Sequence, residues 1–117
     1  MIAPFVLTII LAGLAAVTPA QARIARCVVI VESRSRLDGP CEFRSEDGDG
    51  SFSLAAVNAQ DWLMPDAGTI SLWVTKPGLA EVFVVQARSS RWGQAKRSKT
   101  DRACWIGAEG SYKICAY

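Results

Sequence analysis

Downstream of residue 22 the chain alternates apolar and polar side chains with a period of two, and Gly, Pro and Asp interrupt it at intervals of roughly eight to twelve residues. That rhythm belongs to short antiparallel strands, and no long helical stripe competes with it. Cys27-Val28-Val29-Ile30-Val31 reads as a first strand, apolar enough to be covered on both faces, and Ser33-Arg34-Ser35-Arg36 turns the chain. Cys41-Glu42-Phe43-Arg44 follows the Asp38-Gly39-Pro40 break as a short second strand. In Ser51–Val57, Phe52, Leu54 and Ala56 share one face while Ser51, Ser53 and Ala55 share the other. Lys76-Pro77-Gly78 then separates Thr69–Thr75 from Leu79–Gln86, the clearest hairpin in the chain. The pattern predicts an all-β domain of five to seven short antiparallel strands, closed as a small barrel or packed as a sandwich.

The last hairpin is specified more closely. With Glu109-Gly110 at the centre of the turn, counting outward pairs Ala108 with Ser111, Ile106 with Lys113, Trp105 with Ile114 and Cys104 with Cys115. Opposed residues have Cβ atoms about 4.5 to 5.5 Å apart, a separation that small adjustments close to a disulfide. The same count puts Trp105, Tyr112 and Ile114 on the other face, toward a core. Glu is a poor residue for a positive-φ turn, so a four-residue loop is the alternative to a two-residue one, and either keeps the pairing.

Residues 1–22, MIAPFVLTIILAGLAAVTPAQA, change the setting in which the four cysteines are read. An uncharged apolar run from Ile2 to Val17, then Ala20-Gln21-Ala22, has the order of a secretory signal peptide cleaved after Ala22, although its first residues lack Lys and Arg. A retained membrane anchor is the alternative, for which the run is short. Cleavage leaves residues 23–117 as a single domain that buries only about 60 to 65% of its unfolded surface, a marginal core. In a secreted or periplasmic setting Cys27, Cys41, Cys104 and Cys115 pair as disulfides. Four cysteines allow three connectivities; the hairpin register selects Cys104–Cys115 and leaves Cys27–Cys41.

Candidate chemistry is sparse. The chain has no histidine and no C-x-x-C pair, so zinc-ligand spacings and Ser-His or Cys-His nucleophile pairs are missing, and no metal or cofactor is implied. Glu46-Asp47-Gly48-Asp49-Gly50-Ser51 fails the calcium-loop pattern, with Phe52 and Asn58 where Gly and Glu are required, and reads as a turn. Asn58–Asp66 carries Trp62, Leu63 and Met64 and is expected to fold back as a lid over the core. The segment from Asp38 to Asp66 holds seven acids and one Arg. From Arg88 to Arg102 there are six basic residues and one acid, within a net charge of +2. Arg88, Arg91, Trp92, Lys96, Arg97, Lys99 and Arg102 are the candidate binding residues, because clustered cations around an aromatic hold anionic chains. The bland alternative is a solvated basic loop, or two charged surfaces facing one another.

Cys27 with its apolar strand, Asp38-Gly39-Pro40-Cys41-Glu42-Phe43, Asp49-Gly50-Ser51-Phe52-Ser53-Leu54, Arg102-Ala103-Cys104-Trp105 and Ile114-Cys115-Ala116 together resemble a group of small exported bacterial proteins of unknown function. Members of that group often have a leucine-glycine step before the Cys-Trp pair, where this chain has the basic Lys96–Thr100 stretch. The resemblance implies export and a cysteine-stapled β domain, with no activity attached. The expectation is a secreted or periplasmic, non-catalytic binding protein whose partner is a protein or an anionic envelope polymer, with nucleic acid disfavoured by export and the oligomeric state open. One alternative is an inhibitor of a secreted hydrolase of the lysozyme type, for which Gly110-Ser111-Tyr112 offers a superficial likeness to a Ser-Gly-x-x-Tyr loop. Another is a small hydrolase using two carboxylates from Asp38–Asp66.

Overall fold

The computed structural model describes residue 4, residues 22–85 and residues 89–117. Apart from residues 4 and 22, the signal-peptide reading lies outside the described residues. Eight antiparallel strands form one closed barrel: β1 (Ala22–Val31), β2 (Arg34–Ser45), β3 (Phe52–Ala55), β4 (Thr69–Lys76), β5 (Leu79–Val85), β6 (Ser89–Arg97), β7 (Cys104–Gly107) and β8 (Tyr112–Ala116). Each strand pairs with the next in sequence, and β8 closes on β1 through pairs such as Val29 with Ile114. At eight strands a barrel's interior is just wide enough for side chains to fill it. Val29, Leu54, Ile70, Leu72, Val82, Val84 and Ile114 do so, each fully buried at the inward positions of its strand.

The strand count exceeds the expected five to seven because β6 sits inside the basic stretch, where alternation is masked. Its register puts Gly93 opposite Val82 and Ala95 opposite Ala80, so its inward positions there are small. A bulge with Gly93 at φ +91 breaks the period beside Trp92. β2 is also longer than Cys41–Arg44, and the Asp38-Gly39-Pro40 segment does not interrupt it. Pro40 lies opposite Arg26, whose carbonyl instead accepts from Tyr117 N (2.9 Å), so this pair exchanges no backbone bonds and Pro40 turns its missing N–H away from β1. On that side β3 reaches only Glu42–Ser45, and among the described residues no ladder bond is forfeited. The first turn is Glu32-Ser33, both at positive φ, rather than Ser33–Arg36.

Cys104 and Cys115 are directly opposed and bonded, as the hairpin count requires, and the turn is the four-residue loop Ala108–Ser111, with Ser111 N donating to Ala108 O (3.1 Å). Trp105 and Ile114 point inward, so this disulfide is on the outer side of the wall, where both of its cysteines are nevertheless buried and the Tyr117 hydroxyl lies 3.6 Å from Cys104 Sγ. The second disulfide, Cys27–Cys41, is inside the barrel. Cys27 faces Gly39 and Cys41 faces Ala25, so the bond runs diagonally across two registers, with Cα atoms 5.8 Å apart. Two disulfides fit a protein that folds outside the cytoplasm. Among the described residues no helix is long and apolar enough to cross a membrane.

Next in register after Ile106 and Lys113, Gly107 and Tyr112 meet face to face. Gly107 leaves room for the Tyr112 ring: a Cβ there would fall under 3.0 Å from three ring atoms. The ring stacks at a tilt on Trp92 (centroids 5.2 Å apart), and its hydroxyl donates to Gly93 O (3.2 Å). Burial, and then the charge of Glu81, push the Tyr112 pKa up to about 12.

The two ends of the barrel differ. The β3–β4 connection folds over one end as expected of a lid: Leu63, Met64 and Ala67 are buried, Leu63 N bonds to Gly68 O (3.2 Å), and Arg36 ties the loop to β2 through Asp66 (3.0 Å). Trp62, at 55% exposure, takes no part in that closure. Up-and-down connectivity sends the β2–β3 turn, the β4–β5 hairpin, the β6–β7 loop and the chain's last residue to the opposite end.

A candidate binding groove at the uncovered end

Three connections shape this end, which no loop closes among the described residues, into a cavity of about 1040 Å³: the Asp49-Gly50 turn, the hairpin from Val74 to Leu79, and the β6–β7 loop, with Trp105 on its lining. Each wall is fixed locally. Ser51 is buried, and its Oγ accepts the Val74 backbone N–H (2.8 Å), which pins the β2–β3 turn against β4. Asp49 caps the same turn by accepting Ser51 N–H (2.9 Å). Hydrogen bonding from the Ser51 side chain, and then from its N–H, holds the Asp49 carboxyl below its ordinary pKa. Arg97 N donates to Gly78 O (2.9 Å), joining the end of β6 to the hairpin. Within the loop, Ser98 Oγ accepts from Thr100 N (3.3 Å) and Asp101 N (3.2 Å), and Ser98 N donates to Cys104 O (2.9 Å). The Asp101 carboxylate takes the Tyr117 hydroxyl (2.7 Å) and Ala103 N (3.1 Å), which lower its pKa in that order of weight, and the first of these bonds raises the pKa of Tyr117.

Among the described residues five cations face the cavity, Lys76, Lys96, Arg97, Lys99 and Arg102, with Asp49 as the only acid on its lining. Arg97 is the best positioned of them. Its Nε donates to Arg102 O (2.9 Å), and its guanidinium lies 5.5 Å from the centroid of the Trp105 ring. Among the described residues none of the five is within 4.0 Å of a carboxylate. The four ion pairs, Arg26–Asp38, Arg36–Asp66, Arg44–Glu42 and Arg91–Glu81, all lie elsewhere. Residues 1–21 and 86–88 contain no Asp or Glu that could pair with the five. Three of the seven acids of the Asp38–Asp66 segment, Asp38, Glu42 and Asp66, are thus paired with arginines of β1 and β2, and none of them pairs with the five groove cations.

The groove thus gathers Lys96, Arg97, Lys99 and Arg102 from the expected set. Arg91 is on the outer wall with Glu81 (2.8 Å), and Trp92 packs half-buried against the core and Tyr112, so neither shares the groove. Arg88 lies outside the described residues. Lys76, Asp49 and Trp105 were not legible as site residues: Lys76 belongs to a hairpin read only as a turn, Asp49 to an acidic turn, and Trp105 to the hairpin core.

Chemically, a cluster of unpaired, solvent-facing cations can hold oxyanions, with an attraction that falls off over a Debye length of about 10 Å at 0.1 M salt. The two cavities described are lined by one carboxylate each, Asp49 in this one and Glu109 in a neighbouring one. Among the described residues no group of three His, Cys, Asp or Glu is placed to hold a metal ion. Tyr112 of the Gly110-Ser111-Tyr112 stretch is buried with its hydroxyl committed to Gly93 O, so that turn does not present a tyrosine to a partner. No protein-family model, curated protein or solved structure matches the chain.

Proposed function

We propose that this is a non-catalytic binding protein, secreted or periplasmic, that holds an anionic partner at the uncovered end of its barrel. The partner is an acidic protein patch or an anionic envelope polymer, and the resemblance to small exported bacterial proteins belongs to the same reading. One observation carries it: five cations converge on one groove with a single acid on its lining and no ion pair among the described residues, while Arg26, Arg36, Arg44 and Arg91 elsewhere are each paired with a carboxylate. Unpaired like charges repel, so gathering them costs stability unless a ligand offsets it. The test is retention of the oxidised protein on immobilised heparin across a salt gradient. Retention should fall steeply with salt and should be lost in Arg97→Ala with Lys99→Ala. Arg91→Ala, whose charge is already paired with Glu81, should elute with the unaltered protein. Retention that ignores salt, or that is lost equally in Arg91→Ala, refutes the assignment.

A further inference from the structure

Two of the groove's cations stand on a loop and not on a strand. Lys76, Lys96 and Arg97 lie at the ends of β4 and β6, whereas Lys99 and Arg102 belong to the β6–β7 loop. Between these two in the chain is Asp101, next to Arg102 and two residues from Lys99, near enough to neutralise either. It pairs with neither. Among the described residues no carboxylate lies within 4.0 Å of the five cations, and the loop lines the groove with Ser98, Lys99 and Arg102 but not with Asp101. The Asp101 carboxylate is engaged elsewhere: Oδ1 accepts Ala103 N (3.1 Å) and Oδ2 accepts the Tyr117 hydroxyl (2.7 Å). After those two bonds and the opposing effect of burial, the charge that helps to lower its pKa is that of Lys113 on β8, a cation outside the groove.

Tyr117 is itself held in place by β1. Its N donates to Arg26 O (2.9 Å), its O accepts from Arg23 Nη1 (3.1 Å), and the Arg26 guanidinium, paired with Asp38 at 3.0 Å, lies 5.8 Å from the centroid of its ring. The hydroxyl therefore reaches the loop from a framework that takes no part in lining the groove. Resting on the anion-binding reading above, we propose that Tyr117 is a positioning residue of the groove: its hydroxyl holds the Asp101 carboxylate off Lys99 and Arg102, so that both stay free for an anionic partner. Asp101 is then a built-in competitor of that partner, kept away by one hydrogen bond. Released from Tyr117, the carboxylate pairs with Arg102 or Lys99, and a partner has to displace it. A solvent-exposed ion pair of this kind weakens a competing ligand by about two- to fivefold.

Calorimetric titration of the oxidised full chain with heparin at low salt tests this through a double-mutant cycle. Tyr117→Phe keeps the exposed ring beside Arg26 and leaves the charge of the chain unchanged, removing only the hydroxyl. It should bind heparin about two- to fivefold more weakly. Asp101→Asn removes the competing charge and should bind at least as tightly as the unaltered protein. The variant carrying both changes decides the matter. With the carboxylate gone there is nothing for the hydroxyl to hold back, so Tyr117→Phe added to Asp101→Asn should leave the affinity where Asp101→Asn alone puts it. A hydroxyl that only stiffened the loop would weaken binding equally in both backgrounds. That result, or a Tyr117→Phe protein that binds as tightly as the unaltered one, overturns the proposal and leaves the groove reading standing. Absence of salt-dependent heparin binding by the unaltered protein overturns the groove reading and this proposal with it.

Discussion

Gly107→Ala should be among the most damaging single-methyl changes available in this chain, and its cost can be worked from the geometry. The added Cβ would lie under 3.0 Å from three atoms of the Tyr112 ring. That ring is 5% exposed and cannot swing outward without giving up its bond to Gly93 O (3.2 Å) and its stacking on Trp92 (5.2 Å). Overpacking of this kind costs about 1 to 3 kcal/mol, and loss of the hydroxyl's bond adds about 1 kcal/mol. The expected total is about 2 to 4 kcal/mol, which for a domain of this size lowers the melting temperature by roughly 10 to 20 °C. Guanidinium denaturation followed by tryptophan fluorescence measures it. The decisive arm is a double-mutant cycle with Tyr112→Ala, which alone should cost about 3 to 5 kcal/mol by emptying the wedge. Once the ring is gone the new methyl meets nothing, so Gly107→Ala added to Tyr112→Ala should cost under about 1 kcal/mol. A coupling of about 2 kcal/mol is expected. A single variant within about 0.5 kcal/mol of the unaltered protein, or additive effects in the cycle, would refute the wedge.

The two disulfides should not be equivalent. With sequence separations of 14 and 11, both are worth about 3 kcal/mol by loop closure; all four cysteines are buried, but only Cys27 and Cys41 belong to the core cluster, so Cys27→Ala with Cys41→Ala opens its void inside the barrel, whereas Cys104→Ala with Cys115→Ala opens one on the outer side of the wall, beside Tyr117. The inner pair should cost at least about 1 kcal/mol more in guanidinium denaturation, and the reverse order would contradict the placement. Tyr112 sets the alkaline limit. Its pKa rises from the model-compound value of 10.0 to about 12 in the fold, so folding favours the neutral phenol. That contribution is complete below pH 10.0 and is lost as pH rises toward about 12. Tyrosinate absorbance should show a phase in that window coincident with unfolding and absent in Tyr112→Phe; one tyrosinate phase near pH 10.0 without unfolding would be the contrary result.

Where the local pattern dictated long-range geometry, the sequence was enough. The last hairpin is the clear case: symmetric counting from Glu109-Gly110 reaches Cys104 and Cys115 together, and the structure pairs them along with Trp105–Ile114 and Ile106–Lys113. The alternation in Phe52–Leu54 and across the Lys76-Pro77-Gly78 hairpin held for the same reason, because a period of two needs no information beyond neighbouring residues. The reading failed where a position's role is set from elsewhere in the chain. Ser51 reads as the solvent side of a strand, yet it is buried because Val74 N, 23 residues away, needs an acceptor. Pro40 reads as a break, and the break vanishes because the carbonyl of its partner Arg26 is turned to Tyr117.

The candidate groove shows the same division at the level of charge. In sequence Arg88–Arg102 is one basic run with an aromatic in it, and nothing local separates its members. The fold splits the run in two. Upstream of the Gly93 bulge, Arg91 faces outward onto Glu81 and Trp92 turns to the core. Downstream, pairing with Leu79 and Ile106 sets Lys96 at the groove and Arg97 over Trp105. A single register shift at the bulge separates Arg91, neutralised in the wall, from the cations left unpaired at the groove. Lys76 joins the second group only because the hairpin that carries it is tied to β6 by the Arg97 N–Gly78 O bond. Charge clustering in the sequence therefore marks a basic run, and it is the pairing of β6 with both neighbours that sorts its members between the wall and the groove.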